Sequence, residues 1–80
     1  MGYYIYVLVL EHENYFIGRS NDLLRRLHDH SMGFADEWTR IHKPLFAERV
    51  IENTQPTDLE NLYQVYLNKF GSEHVRKDEY

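Results

Sequence analysis

The stretch YYIYVLVLEHENYFIGRSNDLLRRLHD, residues 3–29, decides how this chain folds. Its first eight residues, Tyr3–Leu10, are aromatic, β-branched or leucine and contain no helix breaker, which predicts a strand. Both alternating sets of side chains are apolar, as is typical of a central strand covered on both faces. The polar residues 11–14 predict a hairpin turn, and Tyr15–Gly18 predicts a second, antiparallel strand.

A helix that carries arginines and histidines follows the second strand. Ser20 or Asn21 is expected to cap this helix, and Asp22 in its first turn suits the helix dipole. The predicted inner stripe consists of Leu23, Leu24 and Leu27. On a helical wheel Arg26 and His30 lie one turn apart, at the edge of that stripe.

The remainder of the chain predicts one more strand and one more helix. Residues 31–43 look like a long loop, and Pro44–Glu52 predicts the third strand. The sequence Thr57-Asp58-Leu59-Glu60 has the form of a capping box, and Gly71 is a natural end for the helix that it begins. Residues 72–80 are polar and predict a frayed tail. The apolar stripe of this second helix is Leu59, Leu62, Tyr63, Tyr66, Leu67 and Phe70.

The order β-β-α-β-α predicts a single α+β domain over residues 1–80. We expect a three-stranded antiparallel sheet, flanked by helices, with the first strand in the middle. The chain has no cysteine, which excludes a disulfide scaffold and a thiolate zinc site. Its longest apolar run, Ile5–Leu10, is far shorter than the about 20 residues of a membrane span. No secretion signal is visible, so we expect a cytoplasmic, nucleoid or nuclear location.

Charge gives only weak support for a nucleic-acid partner. The net charge is −4. The only positive segment is residues 19–43, with five arginines or lysines against four acids. Local fields govern the binding of a phosphate more than totals do, so this segment is where we expect an anionic ligand.

Several short motifs occur in an order that resembles a known family. Tyr4-Ile5-Tyr6 is similar to a GIY triplet, and Phe16-Ile17-Gly18 is similar to YIG. The helix after the second triplet carries Arg26 and then His30, and residues 38–44 and 66–71 are also familiar. Each triplet alone is a weak signal, but the ordered set resembles the GIY-YIG nuclease family over nearly the whole chain.

The resemblance implies metal-dependent hydrolysis of phosphodiester bonds in DNA. Tyr6 matches the tyrosine that helps to activate water, Arg26 matches the arginine that stabilises charge on the phosphate, and His30 matches the following histidine. Glu60 is the best available carboxylate for one Mg²⁺ or Mn²⁺. These roles suit the residue types, because arginine offers a planar fork to phosphate oxygens and Mg²⁺ often takes only one or two carboxylates.

The same resemblance implies a DNA partner and further contacts to its backbone. We expect the nucleic-acid-binding cations to be Arg19, Arg25, Arg40 and Lys43. An 80-residue chain has no room for an appended specificity domain, so a homodimer, a specificity-conferring protein partner or structure-selective recognition of the DNA is implied. No membrane partner is expected.

Two departures from the family pattern favour an alternative. Phe16 stands where the family commonly has the tyrosine of YIG, and Glu60 lies about one helical turn before the expected place, near Tyr63. The alternative is a degenerate module that binds nucleic acid or a protein without cleavage. The plainer interpretations also stay open: a buried ring for Tyr6, a solvated cation for Arg26, a capping residue for Glu60.

Overall fold

Within residues 2–78, which the computed structural model describes, the chain forms four strands and three α-helices. The strands are β1 (Tyr3–Leu10), β2 (Asn14–Ser20), β3 (Pro44–Thr54) and β4 (Val75–Lys77). The helices are α1 (Leu23–Met32), α2 (Glu37–Ile41) and α3 (Pro56–Phe70). A single 3₁₀ turn, Glu11–Glu13, joins β1 to β2. The general α+β class predicted from the sequence is therefore confirmed.

The sheet has four strands in the order β3-β1-β2-β4, so the prediction of three antiparallel strands was wrong. As predicted, β1 lies inside the sheet and pairs antiparallel with β2 and β3. The additional strand, β4, pairs parallel with β2 and places Val75 opposite Tyr15. It comes from the segment predicted to fray, residues 72–80, of which residues 79–80 lie outside the described residues. The sequence of Val75–Lys77 does not predict a strand, because Val75 is its only apolar residue.

The two faces of the sheet carry two separate apolar clusters. On one face α3 packs with a cluster built around Ile5, Val7, Ile17, Leu59, Tyr66 and Val75. On the other face α1 and α2 cover the cluster Tyr6, Leu8, Leu10 and Phe16. The alternation of β1 therefore buries both of its faces, as its apolar pattern predicts. The predicted stripe of α3 is confirmed, because all of its members belong to the first cluster or pack against it.

The helices differ from the sequence-based expectations in three respects: a capping residue, one side chain of the inner stripe and an additional helix. Asp22, and not Ser20 or Asn21, caps α1 by accepting from the Arg25 N–H group. Leu24 is exposed and not part of the inner stripe. The predicted long loop contains α2, which Asp36 caps through the Trp38 N–H group.

The start of α3 corrects one interpretation of Glu60. The capping box is formed by Gln55 and Asp58, whose carboxylate accepts from the Gln55 N–H group at 2.7 Å. Glu60 is therefore not the capping residue. Gly71 ends the helix, as predicted. Among residues 2–78, no helix is long and apolar enough to cross a membrane.

Candidate functional site

A chain of hydrogen bonds runs from β1 through α1 into α2, inside the protein. The Tyr6 hydroxyl lies 2.8 Å from His30 Nε2. The other ring nitrogen of His30, Nδ1, lies 2.9 Å from Thr39 Oγ1. Thr39 Oγ1 in turn donates to the Asp36 carbonyl at 3.2 Å. Four residues from three elements thus form one continuous polar path.

The direction of the protons along this path follows from what each group can donate. Thr39 has a single hydroxyl proton, which goes to the Asp36 carbonyl, so its oxygen accepts from His30 Nδ1–H. The neutral imidazole then has one free lone pair, on Nε2, and this nitrogen accepts the proton of the Tyr6 hydroxyl. Thr39 therefore sets the tautomer of His30, and His30 is positioned to receive the phenol proton.

Burial sets the charge state of this path. Tyr6 and Thr39 are closed off from solvent, and only 1 % of His30 is exposed. Desolvation and, to a smaller extent, the nearby positive charge of Arg26 together lower the pKa of His30 to about 4. His30 is consequently neutral at pH 7. The Phe16 ring, with its centroid 4.7 Å from that of His30, supplies part of the apolar surroundings.

The backbone of β2 makes room for the Tyr6 ring. Gly18 is the cross-strand partner of Tyr6, and a β-carbon at Gly18 would overlap the atoms of that ring. The glycine of the second triplet is thus required by close approach. Phe16 lies on the same face as Tyr6, two residues before Gly18, and packs as an apolar ring in the same cluster.

Arg26 lies on α1 one turn before His30 and reaches towards β4. Its Nη2 atom is 3.2 Å from Asp78 Oδ1, and 31 % of the Arg26 side chain is exposed. The second oxygen of Asp78 accepts from the Arg19 backbone N–H group at 3.0 Å. Asp78 is itself buried, so its carboxylate is held at the inner edge of the guanidinium.

A cleft of about 470 Å³ opens beside this ion pair, between α1, α2 and β4. It is lined by Arg26, Ala35, Asp36, Glu37, Trp38, Ile41, Arg76, Lys77 and Asp78. The Arg76 guanidinium lies over the Trp38 ring at 4.4 Å from its centroid. The lining mixes three cations with three acids, so the cleft has guanidinium groups for an anion without a strongly positive field.

Glu60 is not part of this cleft. Its Oε2 atom lies 3.4 Å from Lys77 Nζ, and Lys77 also lies over the ring of Tyr63 on the α3 side. Lys77 and Asp78 are consecutive and turn to opposite faces of the sheet. The structure therefore brings together Tyr6, His30 and Arg26, while Glu60 lies on the other face.

The donor set around Glu60 does not fit a metal position beside Tyr6. Its carboxylate is partnered by Lys77, which lines the cleft, but Glu60 itself is not a lining residue and lies on α3, which packs on the other face of the sheet. Among residues 2–78, no group of three or more histidine, aspartate or glutamate side chains could hold a metal ion together. We therefore assign no metal-dependent step to the residues of this cleft.

The four predicted backbone-binding cations are dispersed. The Arg19 guanidinium donates to Thr54 at 3.2 and 2.9 Å. Arg25 is exposed on α1, next to Arg26. Arg40 pairs with Glu37 at 3.3 Å. Lys43 is exposed after α2, so of the four only Arg25 neighbours Arg26 along its helix.

Sequence reasoning did not identify three residues of this site as functional. Asp36 and Thr39 lie in residues 31–43, which the sequence predicts to be a loop. Asp78 lies in residues 72–80, which the sequence predicts to be a frayed tail. The available signal was the pair Asp36-Glu37 before Trp38, which has the form of a helix N-terminus. Nothing local indicates that Thr39 would meet His30, because that contact depends on how α2 packs.

Comparison with known proteins gave no relative for this chain. No family model matches it, and neither a curated protein nor a solved structure matches it significantly.

Proposed function

We propose that this chain is a nuclease domain of GIY-YIG type, which binds DNA at the Arg26 cleft and hydrolyses a phosphodiester bond there. The observation that carries the proposal is the ordered path Tyr6–His30–Thr39, whose phenol donates to a neutral imidazole 2.8 Å away. The three residues that match the family's tyrosine, arginine and histidine lie on one face of the sheet.

Each of these side chains has a role that its chemistry allows. Arg26 binds phosphate oxygens through its planar fork. His30 Nε2 takes the proton of Tyr6, and the phenolate then takes a proton from the attacking water. Thr39 is a positioning residue, because it holds the tautomer in which Nε2 is the acceptor. Asp78 competes with the phosphate for Arg26.

The burial of Tyr6 requires that the cleft open before the reaction. Tyr6 is fully covered, and an imidazole whose pKa is about 4 is a weak base for a phenol. Entry of water and of a phosphate beside Arg26 would reverse the desolvation that depresses the pKa of His30. We therefore expect the described conformation to be a resting state, with opening at the edge formed by β4.

A second candidate function, binding of nucleic acid without cleavage, is favoured by specific observations. Tyr6 is sealed, Phe16 lacks the hydroxyl that the family commonly uses, and Glu60 lies across the sheet from Arg26. In this case the Tyr6–His30 pair is a satisfied part of the core, and Arg26 alone contacts phosphate. A dependence of cleavage on Mg²⁺ or Mn²⁺ belongs to the first candidate only.

A plasmid-nicking assay, run beside fluorescence anisotropy with a short DNA duplex, separates the two candidates. The variants are Tyr6→Phe, Arg26→Ala and, as a matched control, Arg49→Ala, which removes an exposed arginine on β3 that belongs to neither the cleft nor the predicted binding cations. Each protein is tested with EDTA, Mg²⁺ and Mn²⁺, and circular dichroism verifies the fold.

For a nuclease we expect cleavage that falls at least tenfold in Tyr6→Phe and Arg26→Ala but is retained in Arg49→Ala. Salt-dependent binding without cleavage under any metal condition selects the second candidate, because released counterions report phosphate contacts. Cleavage that survives both changes would exclude this site, and neither binding nor cleavage would exclude both functions.

A further inference from the structure

Two histidines far apart in the sequence meet at the surface, at the end of the sheet where β1 turns into β2. His12 Nδ1 and His42 Nδ1 are 3.4 Å apart, with the ring planes at 76°. His12 is exposed and His42 is half-buried. Neither residue belongs to the cleft or to the polar path from Tyr6, so the proposed function leaves this pair without a role.

The backbone around the two histidines is arranged to hold them together. The Glu11 N–H group donates to the Lys43 carbonyl at 2.9 Å, and the Lys43 N–H group donates to Glu11 Oε1 at 3.0 Å. These two bonds clamp the turn before β2 to the segment after α2. The edge of the His42 ring also lies against Trp38, with 4.5 Å between centroids, which limits its rotation.

The turn itself has an uncommon conformation. His12 and Glu13 are consecutive non-glycine residues with positive φ angles, 63° and 59°. Such residues are rare outside turns, and strained backbone of this kind clusters at functional positions. Here the left-handed conformation is what directs the His12 ring towards His42.

The distance between the two nitrogens suits a ligand that both rings share. At 3.4 Å the pair is at the long end for a direct hydrogen bond, beyond the range of about 2.7–3.2 Å that is usual for N–H···O bonds. Two imidazoles bound to one tetrahedral zinc ion at about 2.0–2.1 Å lie roughly 3.3–3.4 Å apart. The pair therefore has the spacing of two ligands of one metal ion.

We propose that His12 and His42 bind one transition-metal ion of the Zn²⁺, Ni²⁺ or Cu²⁺ class. Imidazole nitrogen suits these metals and is a poor ligand for Mg²⁺, so this site is distinct from the Mg²⁺ or Mn²⁺ position that the family resemblance implies at Glu60. Among residues 2–78 no third histidine or acid completes a metal cluster, so water fills the remaining positions. The binding ties the turn of residues 11–13 to the end of α2.

Isothermal titration of ZnCl₂ and NiCl₂ into the full chain, in a buffer that does not bind metal, tests this site. The variants are His12→Asn, which keeps a side chain that tolerates positive φ, and His42→Ala. The control is His28→Ala, which removes an exposed histidine on α1. Circular dichroism verifies that each variant folds.

We expect one metal ion per chain in the wild type, an affinity at least tenfold lower in His12→Asn and in His42→Ala, and no change in His28→Ala. MgCl₂ should give no saturable signal that depends on these histidines. Absence of saturable binding up to millimolar Zn²⁺ and Ni²⁺ would overturn the site, and so would binding that survives both substitutions. The result is independent of nuclease activity, since the titration contains no DNA.

Discussion

The two faces of the sheet are built on different principles. The face under α3 is closed by aliphatic and aromatic side chains, such as Ile17 and Tyr66. The face under α1 and α2 surrounds two buried polar residues, His30 and Thr39, with an apolar rim. A buried polar group stabilises a fold less than an apolar group of the same size, even when it is hydrogen-bonded. Both faces therefore bury apolar side chains, and the face under α1 and α2 also encloses the polar path Tyr6–His30–Thr39.

The largest expected effect is a cavity on the α3 face. Ile17 is fully buried in the cluster under α3, so Ile17→Ala should lower the free energy of unfolding by about 2–5 kcal/mol. Ile17→Val removes one methylene and should cost about 0.5–1.5 kcal/mol, which keeps the test readable if the alanine variant unfolds. Urea denaturation followed by circular dichroism measures both. Losses below these ranges would mean that this face contributes less than its burial indicates.

The next effect is a loss of stability in acid, which comes from the α1 face. The unfolded chain protonates His30 near its ordinary pKa of about 6.5, whereas the folded protein does so only at about 4. Neutral His30 therefore contributes fully to the free energy of unfolding above pH 6.5, and this contribution is lost as the pH falls from 6.5 to about 4. The total loss is on the order of 3 kcal/mol.

Urea denaturation at a series of pH values, for the wild type and for His30→Gln, isolates that contribution. The glutamine variant should lack the part of the pH dependence that the wild type shows between pH 6.5 and 4. If the free energy of unfolding depends on pH in the same way in both proteins, His30 is not the group that responds to acid.

A smaller effect is expected where Thr39 holds the imidazole. Thr39→Val keeps the shape of the side chain but leaves His30 Nδ1–H without its acceptor, so we expect a loss of about 1–3 kcal/mol. Thr39→Ser retains the hydroxyl and should lose less. Nitrogen chemical shifts of the imidazole should report the Nδ1–H tautomer in the wild type and in the serine variant. A valine variant as stable as the serine variant would contradict the proposed path.

The smallest effect concerns Asp78, whose carboxylate accepts from Arg26. Asp78→Asn removes one negative charge from the cleft while its amide oxygen can still accept from Arg19 N–H. We expect the affinity for a DNA duplex to rise by roughly 2–5-fold, about 0.4–1 kcal/mol. Glu52→Gln removes an exposed negative charge from β3, away from the cleft, and is the matched control. Fluorescence anisotropy at low and moderate salt measures both, and weaker binding by Asp78→Asn would refute competition at Arg26.

The two faces were also predictable to different degrees. The stripe of α3 repeats at helical spacing over three turns, so sequence alone identified the residues that pack under that helix. The double alternation of β1 likewise predicted an internal strand. On the other face, the sequence indicated Tyr6, Arg26 and His30 through their resemblance to a family, and these three do come together.

What sequence could not supply depends on packing between distant segments. Thr39 reaches His30 only because α2 folds back on α1, and no local signal encodes that contact. Residues 75–77 have little strand character of their own, and they become β4 because β2 offers an unpaired edge. Glu60 matched a family position only approximately, and α3 packs on the face of the sheet opposite to the cluster that contains Tyr6.

The short strand β4 adds a dynamic consequence to this arrangement. Val75 enters the α3 cluster, while Arg76 covers Trp38 on the other side. A three-residue edge strand detaches at a lower free energy than the unfolding of the whole domain requires. One local opening of β4 therefore exposes both the α3 cluster and Trp38 to solvent. The Tyr15 amide, bonded to the His74 carbonyl, and the Asp78 amide, bonded to the Ile17 carbonyl, should therefore exchange with deuterium at a common rate.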